Sequence, residues 1–291
     1  MARDNGVLRD ERRRVETLVI ETTFGTLHCG VQGQGPPLVM VHASGMGQDK
    51  WAHFGAMMAE CHTVYSPNLL GYGQTGPWQR EGYDIHHEVK VIRALIEHIG
   101  SPVSLLGHSF GGAVALYTAL SMPETVHSVV LYEPTVFGLL ARDDDRAAQA
   151  EIDALTQSPD FFEPAPEALE DWLGGFVDYW SRAPVWAFTS QPQRDALLAV
   201  GNKIVAEVRE VLEGDHGVEA AHVHQPTLVV CGQRTTLAAR RMAGLLVARL
   251  KRGRLITLPG LGHMAPLHRP APIAKVALAF LEAPATPTGI A

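Results

Sequence analysis

Short, mostly apolar runs constrain the fold of this chain most, because such runs are typical of strands buried on both faces of a parallel sheet. They lie at residues 38–41, 103–106, 126–132 and 227–231. Stretches with apolar residues at helical spacing separate several of these runs, and this alternation predicts βαβ units. We therefore expect an α/β fold with a mostly parallel central sheet flanked by helices.

The strand pattern is absent between residues 135 and 225, where apolar side chains recur at helical spacing and prolines punctuate the chain. This predicts a helical cap, or lid, inserted into the sheet domain. The predicted organisation is a disordered lead-in at residues 1–16, two parts of the sheet domain at residues 17–134 and 226–283, the cap at residues 135–225, and a frayed tail at residues 284–291.

Composition and charge exclude several classes of function. The 291 residues include 24 Lys and Arg against 31 Asp and Glu, a net charge of −7, with no basic stripe, so nucleic acid is not expected as a partner. No apolar run approaches the roughly 20 residues that a membrane span needs. The three cysteines, Cys29, Cys61 and Cys231, fit neither a metal site nor a disulfide framework, which favours the cytoplasm.

A Gly-x-Ser-x-Gly motif occupies residues 107–111, between the strand at residues 103–106 and a helix of small and apolar residues. In this context the motif is typical of a nucleophile elbow, a turn too tight for bulky residues on either side of the serine. The turn exposes the hydroxyl of Ser109 and leaves the backbone N–H of Phe110 free to bind an oxyanion. The sequence therefore predicts Ser109 as a nucleophile.

A second glycine motif, G-x-G-x-x-G at residues 71–76, is weaker. Dinucleotide binding requires a helix directly after this motif. Residues 77–80 carry no helical periodicity, so we interpret the motif as a turn.

Three motifs together resemble the α/β-hydrolase fold family: residues 42–44 after a strand, the elbow at Ser109, and residues 260–264 near the end of the chain. The resemblance spans roughly residues 17–281. In that family these positions supply the oxyanion loop, the nucleophile and the catalytic histidine. The resemblance implies no metal and no organic cofactor.

The general base is expected to be a histidine, because its pKa lies near neutrality. Among the 14 histidines, we expect His263 to be this base. It follows the last predicted strand, and the loops at the carboxyl ends of parallel strands converge on the elbow. His108, next to the serine, is expected to support the turn instead. By the resemblance, the Ser44 N–H is the second oxyanion donor beside that of Phe110, with helix capping as the alternative role of Ser44.

The acid of the triad departs from the family pattern. Relatives usually carry an Asp after the strand at residues 227–231, where this chain has Thr235. Some members carry the acid one strand earlier, and at that place lies Glu133, 24 residues after Ser109. A carboxylate that ends a buried strand needs a partner, which the Nδ1–H of His263 would supply. A glutamate that only binds loop amides, an acid at Asp215 or Glu213 in the cap, and no acid at all remain alternatives.

These residues predict acyl transfer to water through an acyl-enzyme, with an apolar ester, thioester or lactone as the small-molecule substrate. The cap residues Trp172, Trp180 and Trp186 could line an apolar pocket, although packing among the cap helices explains each of them equally well. Serine at the elbow argues against dehalogenase and epoxide hydrolase relatives, which use Asp there.

Three other functions remain open. Residues 42–47 look somewhat like the corresponding loop of carbon–carbon bond hydrolases of the same fold. A lyase or a cofactor-free perhydrolase would use the same triad. The last alternative is a non-catalytic module that binds a small ligand.

Overall fold

The computed structural model describes residues 14–283, so the predictions for the ends, residues 1–13 and 284–291, lie outside the described residues. The described residues form eight strands: β1 Glu16–Thr22, β2 Gly25–Gln32, β3 Pro37–Val41, β4 Thr63–Pro67, β5 Val103–His108, β6 Val126–Tyr132, β7 Thr227–Gly232 and β8 Gly253–Leu258. Glu16, the last residue of the predicted lead-in, therefore begins the first strand.

The strands form one sheet in the order β1-β2-β4-β3-β5-β6-β7-β8. The hairpin β1–β2 is antiparallel, and β2 also pairs antiparallel with β4. All other neighbours are parallel. The expected α/β fold with a mostly parallel sheet is confirmed.

The helices of the described residues complete the layers. They are α1 Gln48–Met58, α2 Ile85–Ile99, α3 Phe110–Ser121, α4 Gly138–Arg142, α5 Arg146–Leu155, α6 Leu169–Ser181, α7 Gln191–Ala199, α8 Gly201–Glu213, α9 Leu237–Arg249, α10 Ala265–His268 and α11 Ala271–Leu281. Helices α2, α3 and α9 pack on one face of the sheet. Helices α1 and α11 pack on the other face, so both faces of the central strands are buried.

Between β6 and β7 the described chain contains only helices and short turns. We call residues 138–222 the helical segment. Part of it packs on the main core, and another part forms its own apolar cluster, which includes Leu173 and Ile204. Apolar residues recur at helical spacing from Leu197 to Val211, but they belong to two helices. The first helix ends at Ala199 and the second begins at Gly201, with Val200 between them.

Candidate active site

The sharp turn at Ser109 joins β5 to α3 with φ 54° and ψ −121°. Close backbone contacts explain both glycines of the motif. A Cβ on Gly107 would lie 2.4 Å from the carbonyl oxygen of Gly111, and one on Gly111 would lie 2.3 Å from that of His42. Neither position has room for a side chain, so the strained backbone of Ser109 depends on both glycines.

Glu133 and His263 meet at the carboxyl ends of the strands. The Nδ1 atom of His263 lies 2.7 Å from Oε2 of Glu133, and both side chains are buried. Two further donors reach the same carboxylate: the Gly232 N–H at 2.7 Å from Oε1 and the Thr235 hydroxyl at 2.6 Å from Oε2. These three donors offset the cost of burying the Glu133 carboxylate. Glu133 therefore does not bind loop amides alone, because its carboxylate also contacts His263 and the Thr235 hydroxyl.

The alternative acids in the helical segment are engaged at the surface. Asp215 pairs with Arg142 at 3.0 Å, and Glu213 pairs with Arg209 at 2.9 Å. All four side chains are exposed. Neither carboxylate therefore competes with Glu133 for His263.

His108 acts on the loop of His263 rather than on the elbow turn, in contrast to the sequence-based expectation. Its Nε2 lies 3.0 Å from the carbonyl oxygen of His263, so Nε2 carries the proton and donates it. Burial lowers the pKa of His108 well below its usual value, so the ring stays neutral. The hydroxyl of Tyr132 donates to the Gly262 carbonyl at 2.7 Å. Two buried side chains thus fix the backbone that carries His263.

His42 fixes the loop that carries Ser44. The Leu69 N–H donates to Nε2 of His42 at 3.0 Å, so the ring proton lies on Nδ1 and is donated to the Ala43 carbonyl at 2.9 Å. The same carbonyl accepts the Met46 N–H at 3.2 Å. Because these bonds hold the Ala43 carbonyl, they also fix the direction of the Ser44 N–H in the same peptide plane. Burial lowers the pKa of His42 to about 4.

An apolar pocket lies over Ser109. Its walls come from the loops around the elbow and from the helical segment, and its lining residues are Ser44, Ser109, Phe110, Thr135, Phe137, Leu155, Phe161, Phe176, Trp180, Val208, Val211 and Leu212. The free volume is about 30 Å³, enough for water but not for an acyl chain. An acyl chain would fit beside Ser109 only after side chains that line this pocket had moved.

The three tryptophans that were expected as possible pocket residues have different surroundings in the structure. Trp180 lines the pocket and stacks on the imidazole of His263, with 3.9 Å between ring centroids. Trp172 stacks on Phe176 and donates its N–H to the Phe161 carbonyl. Trp186 packs inside the helical segment below the guanidinium of Arg194. Trp172 and Trp186 are not among the described residues that line the pocket.

The sequence analysis missed a fully buried charge cluster beside this pocket. The Lys203 ammonium lies 2.6 Å from Oε1 of Glu88 and 3.2 Å from Oε1 of Glu207. The Tyr72 hydroxyl donates to Oε2 of Glu207 at 2.8 Å. The only sequence signal is the i,i+4 spacing of Lys203 and Glu207, which is equally typical of an exposed ion pair. Among residues 14–283, no cluster of three His, Cys, Asp or Glu side chains could hold a metal ion.

Residues 38–276 match the family described as "Alpha/beta hydrolase family". The chain belongs to this family. The alpha/beta hydrolase resembles "Pimeloyl-[acyl-carrier protein] methyl ester esterase" of Nitrosomonas europaea, with 26% identity over 82% of this chain and 93% of that protein. It also resembles "Lipase LipV" of Mycobacterium tuberculosis, with 37% identity over 40% of this chain. That match spans 42% of the lipase, well under two thirds of its length.

Solved structures agree on the fold of this alpha/beta hydrolase. A hydrolase from Pseudomonas aeruginosa PA01 superposes with a TM-score of 0.72 over 92% of this chain and 99% of that one, at 22% identity. In the part of the chain that the structure describes, no helix combines the length and apolar character that crossing a membrane requires.

Proposed function

We propose that this alpha/beta hydrolase is a serine hydrolase that cleaves apolar carboxylic esters, thioesters or lactones through an acyl-enzyme. The observation that carries the proposal is the buried pair of Glu133 and His263, 2.7 Å apart, beside the strained elbow at Ser109. Two contacts tie the elbow to this pair. The Ser109 N–H donates to the carbonyl of Tyr132, and His108 donates to the carbonyl of His263.

In the proposed mechanism the Ser109 hydroxyl attacks the substrate carbonyl carbon while Nε2 of His263 accepts its proton. The Nδ1–H of His263 points at Glu133, whose carboxylate stabilises the imidazolium that forms. His263 then gives the proton to the leaving alcohol or thiol. Water attacks the acyl-enzyme with His263 as base, and Ser109 leaves with the proton restored.

Two backbone donors are proposed to bind the oxyanion. Phe110 is the first residue of α3, and the first N–H groups of a helix have no partner within it. The partial positive charge at this end of the helix favours an anion there. The Ser44 N–H, oriented by His42, is the second donor.

The substrate class follows from the pocket walls. Apart from the hydroxyls of Ser44, Ser109 and Thr135, the lining side chains are apolar or aromatic. Such a surface favours an aliphatic or aromatic acyl group over a charged one. The names of two similar proteins, a lipase and a methyl ester esterase, support an ester as the bond cleaved.

Intact-mass analysis after exposure to a fluorophosphonate tests the nucleophile. We expect one adduct on the wild-type protein, mapped to Ser109, and none on the Ser109→Ala variant. Turnover of p-nitrophenyl esters, thioesters and lactones then tests the substrate class. Cleavage of a β-diketone analogue without ester hydrolysis would favour the carbon–carbon bond hydrolase instead. Saturable binding without an adduct or a product would contradict an enzyme of this type.

A further inference from the structure

Glu207 is connected to two successive residues of the oxyanion loop, Ser44 and Gly45. The Ser44 side chain lies close enough to the Glu207 carboxylate to oppose the rise in pKa that burial causes there. The Gly45 N–H donates to the hydroxyl oxygen of Tyr72 at 3.0 Å, and that hydroxyl donates to Oε2 of Glu207 at 2.8 Å. One buried carboxylate from the helical segment therefore contacts this loop through Tyr72, whose ring also packs edge-on against that of His42, with 4.9 Å between centroids.

Glu207 is itself held rigidly. Lys203, one turn earlier on α8, bridges it to Glu88 on α2. Glu88 in turn accepts the Leu70 N–H at 2.9 Å and the Tyr83 hydroxyl at 3.0 Å. All three charged side chains are fully buried. Moving Glu207 would leave buried charges without partners, which is costly, so the cluster fixes its position.

The loop needs a directed hydrogen bond at Gly45 to keep its conformation. Gly45 adopts φ 72°, a left-handed conformation that glycine leaves easily. Leu197 and Ile204 pack where its Cβ would be, with side-chain atoms 3.1 Å from that position. These contacts restrict space but do not orient a peptide. The Tyr72 hydroxyl supplies the directed contact to the Gly45 N–H.

We propose that Tyr72 and Glu207 are positioning residues that hold the Ser44–Gly45 turn so that the Ser44 N–H stays directed at the oxyanion of a Ser109 adduct. This inference rests on the proposed function. Helix α8 also carries Val208, Val211 and Leu212 of the pocket wall. The oxyanion loop therefore keeps these contacts only while α8 packs over Ser109.

The chain offers a matched pair of variants for the test. Tyr72 and Tyr83 each donate a hydroxyl to a carboxylate of the Lys203 cluster, but only Tyr72 contacts the oxyanion loop. We expect Tyr72→Phe to lower kcat for p-nitrophenyl butyrate at least about tenfold with KM within about twofold, because the lost contact matters when the oxyanion forms. Tyr83→Phe should keep kcat within about twofold of wild type.

Glu207 provides a second comparison. Glu207→Gln keeps an oxygen that accepts the Tyr72 hydroxyl, whereas Glu207→Leu removes it. We expect kcat of the glutamine variant to exceed that of the leucine variant at least about tenfold. Equal losses of kcat in the two would overturn the positioning role.

Hydrogen exchange at residues 42–47 supplies a readout that needs no turnover. We expect faster exchange of this loop in Tyr72→Phe than in Tyr83→Phe and wild type. Unchanged exchange, or equal kcat losses in the two tyrosine variants, would overturn the inference. A wild-type protein that neither reacts with a fluorophosphonate nor hydrolyses the ester would instead contradict the proposed function, and loop exchange would still decide whether Tyr72 holds the loop.

Discussion

Thr235 donates its hydroxyl hydrogen to Oε2 of Glu133, the oxygen that also faces Nδ1 of His263. The two distances are 2.6 and 2.7 Å. By the family resemblance, residue 235 is where the acid is usually expected. In this chain the Thr235 hydroxyl instead contacts the carboxylate of Glu133, the acid that we propose, which directly follows strand β6.

This contact predicts the effect of removing the Thr235 hydroxyl. Thr235→Val leaves a buried carboxylate with one donor fewer, so we expect a loss of about 1–3 kcal/mol in the free energy of unfolding and a several-fold lower kcat. Urea unfolding and ester turnover measure the two effects. Thr235→Ser, which keeps the hydroxyl, is the control and should stay near wild type.

Glu133→Gln tests the acid directly. The amide can still accept the Gly232 N–H, but its NH2 group favours the wrong tautomer of His263, so kcat should fall by about 10³–10⁴ while folding is retained. Circular dichroism and ester turnover check this. Wild-type turnover in the variant would exclude Glu133 as the acid.

A carboxylate at residue 235, after β7, should partly replace the carboxylate of Glu133, after β6. Because Thr235 Oγ1 lies 2.6 Å from the Glu133 oxygen, a carboxylate at residue 235 can approach His263. We expect the double variant Glu133→Gln, Thr235→Asp to recover at least about tenfold in kcat over Glu133→Gln alone. Thr235→Asn in the same background is the uncharged control and should recover nothing.

Trp180 lines the pocket and stacks on the imidazole of His263. Trp180→Ala frees space beside Ser109, so kcat/KM for a p-nitrophenyl octanoate relative to an acetate should rise at least about tenfold. Trp186→Ala, which removes a ring outside the pocket, is the control and should leave the ratio unchanged. A ratio that rises equally in both variants would contradict the assignment of Trp180.

His42 makes stability depend on pH. The unfolded chain binds a proton at this ring below about pH 6.5, whereas the folded protein does so only below about pH 4. Because the unfolded state binds more protons in this interval, the free energy of unfolding falls as the pH is lowered, by about 3 kcal/mol from His42. Urea unfolding of wild type and His42→Gln between pH 4 and 7 should show a steeper decline in wild type. Parallel curves would contradict a neutral His42.

Local sequence patterns were sufficient to predict the mostly parallel sheet and the sharp turn at Ser109. Apolar runs mark strands that bury both faces, and the glycines at 107 and 111 mark a turn with no room for Cβ atoms. The approach of Glu133 to His263, 130 residues later, followed from comparison with a known family rather than from any local pattern. Their chemical roles stay predictions.

The Lys203 cluster and the donor role of Thr235 could not be read from the sequence. Lys203 and Glu88 are 115 residues apart, and a lysine on a helix is ordinarily exposed. Likewise, the pattern of helical spacing places Trp172, Trp180 and Trp186 on helices but does not say which ring faces the pocket. That choice depends on how the helical segment packs on the sheet, which is a property of tertiary structure.

The proposed reacting groups and the surface that selects the substrate come from different parts of the chain. Ser109, Glu133 and His263 lie at the ends of strands or in the loops that follow them. Nine of the twelve residues that line the pocket, from Thr135 to Leu212, come instead from the region between β6 and β7. Under the proposed function, replacing the region between β6 and β7 should therefore change the preferred acyl group and leave the proposed reacting groups in place. By our inference such a replacement has to keep Lys203 and Glu207, because Glu207, paired with Lys203, accepts the Tyr72 hydroxyl that contacts the Gly45 N–H.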